Sequence, residues 1–268
     1  MKSLAIGTLL LFSFLASCDS DDDDATPAAP TCKPKSLVYS HSSTFDSIQY
    51  IYASSGKLDK LLYFDSKQVL NTDQLEYDGQ GKLIKFTRQW AFSDKPYNTY
   101  LFHYNSANKV ETFDMWGTDT DAPPLVTSVT YDTKGRLIKM AHVFYETRYE
   151  YNDDDNVSKI FYKQVYNGEE SLGRENLSFD NHIRFFANVP ELALINTCVF
   201  NYEPSKNNAT SSVVYMPTFG VFFGAPQNLS FNLKYDVNGM LINNFLPYEY
   251  FLQGLTDTNF KDFKYSCQ

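Results

Sequence analysis

Apolar and polar residues alternate along most of this chain in short runs, punctuated at a near-constant interval by turn-forming residues. In "KLIKFTRQW", alternation puts Lys82, Ile84, Phe86, Arg88 and Trp90 on one face of a strand and Leu83, Lys85, Thr87 and Gln89 on the other. The same register in the copy that follows 54 residues later gives Ile138, Met140, His142 and Phe144. That face is mostly apolar, with a polar slot at Arg88 and His142.

The punctuation is itself a repeat. Six copies align on a tyrosine: "YASSGKL" at Tyr52, "YDGQGKL" at Tyr77, "YNSANKV" at Tyr104, "YDTKGRL" at Tyr131, "YNDDDNV" at Tyr151 and "YDVNGML" at Tyr235. Four residues after the Tyr stand Gly56, Gly81, Asn108, Gly135, Asp155 and Gly239, the residue types that tolerate a positive φ. One residue after it stand Asp78, Asn105, Asp132, Asn152 and Asp236, which open turns by bonding the backbone two residues on; Ala53 is the exception. Six residues after it every copy carries Leu or Val, and two residues before it every copy is apolar. These columns predict a β-hairpin: a strand ending on the Tyr, a type I turn with a left-handed fourth residue, and a departing strand. The motif is scaffold, and function belongs to what does not repeat.

Spacings of 25, 27, 27 and 20 residues between the first five tyrosines allow two strands and two turns each. The repeated turns therefore share one end of a meander, and variable loops such as "FSDKPYN" (Phe92–Asn98) and "WGTDTDAPPLV" (Trp116–Val126) share the other. From 166 to 230 the pattern decays into strand-like pieces, "ENLSF", "HIRFF", "TCVFNY", "SSVVY" and "FGVFF", with "FDNHI" at Phe179 resembling a degenerate turn. "VPELALI" is the best helical candidate, with Pro190 at a first helical position. The prediction is an all-β, antiparallel meander of about 14–18 strands, curled into an open or partial barrel or a large twisted sheet. Residues 35–268 form a single β-repeat domain: regular repeats over 50–163, an irregular stretch over 166–230 and a last repeat over 231–246. A transmembrane barrel is disfavoured by charged residues on both faces of several strands and by a non-aromatic terminal Gln268.

The first residues have a different character. Met1–Ser17 carries Lys2 and an apolar core, too short to span a bilayer, as in a secretory signal. "LASC" (Leu15–Cys18) resembles the lipobox of bacterial lipoproteins, which implies lipidation of Cys18 and anchoring to the outer membrane. Residues 18–34, with "DSDDDD" followed by Pro27 and Pro30, form a solvated, extended tether. An acidic run directly after such a Cys resembles the surface-export signal of Bacteroidota lipoproteins, which implies an outward-facing location. The Tyr-Asp-x-x-Gly-Lys-Leu units are similar to YD repeats, also called RHS repeats, and with the lipobox they resemble uncharacterised Bacteroidota lipoproteins carrying such repeats. That resemblance covers under half of the chain. It implies a sheet of successive hairpins and no catalytic residues.

Composition and chemistry narrow the function. The chain carries 23 basic and 32 acidic residues, a net charge of −9, without the basic cluster that binding to nucleic acid requires. Beyond Cys18 there are Cys32, Cys198 and Cys267, with no CxxC spacing; one disulfide is allowed and three pairings exist. Cys32 and Cys267 bracket the domain, while Cys198, in the alternating "CVFNY", reads as a buried strand thiol. His41, His103, His142 and His182 lie on separate segments without metal-ligand spacing. "NDDDN" (Asn152–Asn156) and "GTDTDA" (Gly117–Ala122) carry oxygen ligands, but neither has EF-hand spacing and the first falls on a hairpin turn. With no nucleophile, phosphate-binding or dinucleotide motif, a non-enzymatic protein without cofactor or metal is expected. The candidate ligand-stacking residues are Trp90, Trp116, Tyr97 and Tyr100, at or near the loops, and extracellular glycan is the expected ligand. A structural or protein-interaction role at the outer membrane is the alternative.

Overall fold

The computed structural model describes residues 32–39, 46–118, 121–166, 168–184, 189–200, 203–215, 226–231, 233–237, 239–243 and 260–267. The signal segment Met1–Ser17, Cys18, the acidic run, His41 and "FGVFF" lie outside the described residues.

Every repeat is a hairpin, as its columns predict. The strands are β1 (Cys32–Tyr39), β2 (Ser47–Tyr52), β3 (Leu58–Asp65), β4 (Gln68–Tyr77), β5 (Leu83–Trp90), β6 (Pro96–Tyr104), β7 (Val110–Trp116), β8 (Leu125–Tyr131), β9 (Leu137–Ala141), β10 (Tyr145–Tyr151) and β11 (Val157–Gln164). The less regular half supplies β12 (Glu170–Ile183), helix α1 (Pro190–Cys198), β13 (Asn207–Val214), β14 (Gln227–Ser230), β15 (Lys234–Tyr235), β16 (Leu241–Asn243) and β17 (Phe260–Cys267). Fifteen strands form one antiparallel sheet in sequence order from β14 down to β1, with β17 added beside β1; β15 and β16 pair separately. Backbone pairing among the described residues does not close this sheet into a barrel.

The turns are built as their residue types require. In the Tyr77 copy, Gly81 N–H donates to Asp78 O, while Asp78 Oδ1 accepts from the backbone N–H of Gln80 and Lys82. Gly56, Gly81, Asn108, Gly135, Asp155 and Gly239 all have φ between 59° and 84°.

One position departs from simple alternation. Tyr77 pairs with Leu83 but Glu76 pairs with Lys85, so Ile84 is an inserted bulge residue. Leu83 and Phe86 therefore both face the core, and Ile84, expected inward, is 37% exposed. The same skip occurs in the copies at Tyr52, Tyr104, Tyr131, Tyr151 and Tyr235. A bulge bends its strand and adds twist, so the five aligned bulges within the large sheet curl it.

The curled inner face carries the core: Leu58, Leu83, Val110, Leu137 and Val157 from the sixth column, and Leu61, Phe86, Phe113, Met140 and Ile160 three residues on. Each such side chain contributes about 1.5–3 kcal/mol by leaving water. Helix α1 lies on this face with Leu192, Ile195 and Cys198 buried and Pro190 in its first turn, as expected. Two expectations are corrected there. Cys198 is buried but sits at the end of a helix, because "PELALINTC" follows a proline start and has no period-two alternation. "FDNHI" is no turn: it lies in β12, whose bulged register aims Asp180 and His182 at the last hairpin. A buried polar cluster holds the irregular half, with Glu203 lying 3.6 Å from both Arg174 and Arg184 and accepting from Asn176 at 3.0 Å.

Candidate functional site

The two ends of the sheet differ in chemistry. At the turn end, each copy is tied to the next. Tyr104 Oη donates to Leu83 O at 2.7 Å and Tyr151 Oη to Leu137 O at 2.7 Å, and Tyr77 makes the same bond to Leu58 O. In the first four copies the residue five after the Tyr is basic and reaches the following turn: Lys109 Nζ bonds Gly135 O at 2.9 Å and lies 4.9 Å from the Tyr131 ring centroid, while Arg136 bonds Asp155 and lies 4.5 Å from the Tyr151 ring. Burial raises the hydroxyl of Tyr104 to about 12. Side chains here are committed to one another. The "NDDDN" turn is part of this end, with Asn152 Oδ1 accepting from the backbone N–H of Asp154 and Asn156.

The opposite end, the rim, exposes its apolar groups. Val69, Phe92, Val126, Val143, Phe144, Tyr145, Val165 and Tyr166 account for eight of the twelve exposed large hydrophobics among the described residues. Phe92 is 81% and Tyr166 76% exposed. Two rim loops join directly, Val165 N–H donating to Phe144 O at 3.0 Å.

At the β5–β6 loop the aromatic groups form a stack. The Trp90 ring lies 4.8 Å from Tyr97 at an interplanar angle of 27° and 5.7 Å from Phe92 at 12°. Arg88 continues the stack inward, with its guanidinium 5.5 Å from the Tyr97 ring and 4.8 Å from Phe200. Its Nε donates to Asp73 at 3.1 Å, and Tyr63 Oη donates to the same carboxylate at 2.7 Å. Burial pushes Asp73 upward, opposed by the charge of Arg88 and the Tyr63 hydrogen bond. The loop is braced by Gln89 Nε2 on Ser93 O and by Ser93 Oγ on Lys95 O at 2.8 Å. Directly across from Trp90 stands Asn71, 5% exposed, whose Oδ1 has no hydrogen-bond partner. A buried amide oxygen without a donor is uncommon in folded proteins.

The four sequence candidates separate. Trp90 and Tyr97 come together, and register explains why: a bulge between Arg88 and Gln89 turns Tyr97 toward the inner face that holds Trp90. Tyr100 is a core residue, 6% exposed against Phe86 and Phe113, and presents no free ring. Trp116 pairs with Thr99, and with Tyr100 inward both lie on the outer face, so the two tryptophans do not share a patch. Phe92 and Asn71 were missed. Phe92 had a signal, an aromatic two residues beyond Trp90 in a Ser/Asp/Lys/Pro loop, whereas Asn71 is reached only through cross-strand register. The stack can offer an apolar ring surface, and among the described residues it holds no nucleophile paired with a base.

No family model matches the chain, and no curated protein sequence matches it. Among solved structures it is similar to a porin-like protein from Bacteroides uniformis, with 12% identity, a TM-score of 0.49 and coverage of 91% of this chain and 98% of that one. A porin-like protein from Bacteroides vulgatus gives 11% identity, a TM-score of 0.38 and coverage of 87% and 98%. The complex TcdB2-TccC3-Cdc42 gives 12%, 0.32, 75% of this chain and 11% of that one.

Proposed function

We propose that this chain is a non-enzymatic cell-surface lipoprotein, held at the outer membrane by lipid on Cys18, whose rim binds extracellular glycan. The observation that carries the reading is the Phe92–Trp90–Tyr97 stack, whose outermost ring, Phe92, is 81% exposed. A sugar ring offers C–H groups to an aromatic face, and this stack presents one. Direction supports it too. β1 starts at the turn end, since Lys33 and Pro34 contact the Tyr52 hairpin, so a tether entering at Cys32 leaves the rim as the far pole.

The test uses the mature chain with Cys18→Ser on a glycan array, followed by calorimetry on any bound sugar. The expected result is binding that Phe92→Ser weakens at least tenfold, with Trp116→Ala unchanged. Uniformly null binding sinks the sugar reading. Metabolic labelling with a fatty acid, lost in Cys18→Ser, together with protease access on whole cells, tests anchoring and orientation.

A second reading has its own observation. The joined loops presenting Val143, Phe144, Val165 and Tyr166 form an apolar patch of the kind that meets another protein. It predicts pull-down of an outer-membrane partner that Tyr166→Ser abolishes and Phe92→Ser leaves intact.

A further inference from the structure

The ladder at the turn end has one rung that the sequence repeats do not supply. We propose that the Cys32–Cys267 disulfide is the closing turn of a seventh repeat, whose two strands come from opposite ends of the chain. The claim is independent of what the rim binds.

Register carries it. In every copy the Tyr pairs with the residue six later, and the next pair skips one residue. Between β17 and β1, Tyr265 pairs with Pro34, Lys264 pairs with Ser36, and Lys35 is skipped. Tyr265 thus occupies the Tyr column, Lys33 the basic column and Pro34 the sixth column. Their bonds agree. Tyr265 Oη donates to Leu241 O at 2.8 Å, the sixth-column carbonyl of the preceding copy. Pro34 O accepts from Tyr52 Oη at 2.9 Å, as Leu83 O does from Tyr104. Lys33 Nζ donates to Gly56 O at 2.8 Å and lies 5.5 Å from the Tyr52 ring, as Lys109 does with Gly135 and Tyr131. Where the copies at Tyr77, Tyr131 and Tyr235 have Asp-x-x-Gly, this one has Ser266 and Cys267 bonded to Cys32, with Cα atoms 4.0 Å apart.

The seventh repeat also links the two halves of the molecule. Its Tyr265 holds the β15–β16 hairpin, and that hairpin reaches back through Tyr235, stacked 3.8 Å from His182 and bonded to Asp180 and to Asn208 of β13. His182 sits against Gly239, the place a basic side chain takes beneath Gly81 and Gly135. Side chains at the turn end therefore span the gap that the backbone leaves between the sheet's first and last strands.

A turn made of sulfur can be opened where the others cannot. Dithiothreitol gives two electrons and two protons to the S–S bond, leaving two cysteine thiols and its own cyclic disulfide. The structure assigns the effect to the seventh repeat: after reduction, amide protection falls at least tenfold over 32–39 and 260–267, while 75–90 and 100–115 are unchanged in hydrogen exchange. Unchanged protection at β1 and β17, or equal loss in all strands, overturns the proposal. Equivalence of columns gives a second measurement that leaves the disulfide in place. Lys33→Ala and Tyr265→Phe should lower Tm by amounts matching Lys57→Ala and Tyr77→Phe, a few degrees each. Silence at Lys33 and Tyr265 overturns it regardless of the effects at Lys57 and Tyr77.

Discussion

The turn end and the rim are made by the same strands and have opposite logic. At the turn end Tyr77, Tyr104 and Tyr151 bond the preceding copy and Lys57, Lys109 and Arg136 bond the following one, so a change in one of these copies is felt by its neighbour. At the rim the loops differ in length and sequence, and aromatic groups stand in water. What repeats here is bonded internally, and what varies is exposed. That division predicts where substitutions destabilise and where they alter recognition alone.

The largest effect belongs to the turn end. Cys32→Ser with Cys267→Ser removes a crosslink spanning 235 residues and should cost about 4 kcal/mol in guanidinium unfolding, chiefly by freeing the denatured chain. Next is Gly81→Ala. With φ at 80° and Lys57 Nζ lying where a Cβ would go, it should cost about 1–2 kcal/mol, whereas Gly79→Ala in the same turn meets nothing and should be near neutral. A gain is available on the rim side, where Ser66 and Lys67 hold φ of 47° and 72° without glycine. Lys67→Gly should stabilise by about 0.5–1 kcal/mol in the same assay, and a loss there would mean that the Lys67 side chain is part of the rim's structure. Phe92→Ser should change stability by no more than about 0.5 kcal/mol while removing ligand binding.

The smallest effect is in pH. Burial lowers His142, stacked 4.9 Å from Tyr145, so its folded form favours the neutral ring. Its contribution is complete above the ordinary histidine value of 6.5 and fades as pH falls through the lowered one. Backbone donors from Lys82 and Gln80 lower Asp78 despite some desolvation, so that turn keeps its contribution down to acid well below the histidine range and loses it only as pH falls through the lowered carboxylate value. Amide protection at 142–145 should therefore fall as pH drops below the ordinary histidine value of 6.5, while protection at 78–82 holds. Simultaneous loosening of both would contradict the separation of the two ends.

Much of the turn end could be read from letters, because backbone needs at Gly81, Asp78 and Leu83 restrict residue type. The bulge could not. Its column contains Asp59, Ile84, Glu111, Ile138, Ser158 and Ile242, a mixture that signals neither face, so a strict period of two sent Ile84 inward. The basic column was visible in Lys57, Lys82, Lys109 and Arg136, yet its task is a bond to another copy and only register reveals that. At the rim, ring count pointed to the loop where Trp90 and Tyr97 stack, but it did not separate these rings from Tyr100 and Trp116. Tyr100 and Tyr97 are three residues apart, and a one-residue bulge between Arg88 and Gln89 brings Tyr97 alongside Trp90 while Tyr100 stays in the core.

The bulge that recurs after every Tyr also acts as a gauge. Because each copy contributes the same bend at the same place, the arc of the molecule is proportional to the number of copies, and the count of copies decides whether first and last strands meet. Deleting one hairpin unit would shorten the arc and withdraw its share of rotation together, drawing Asp180 and His182 of β12 away from Tyr235, while β1 and β17, paired directly, keep Cys32 beside Cys267. The circumference is written in the sequence as a number of tyrosines.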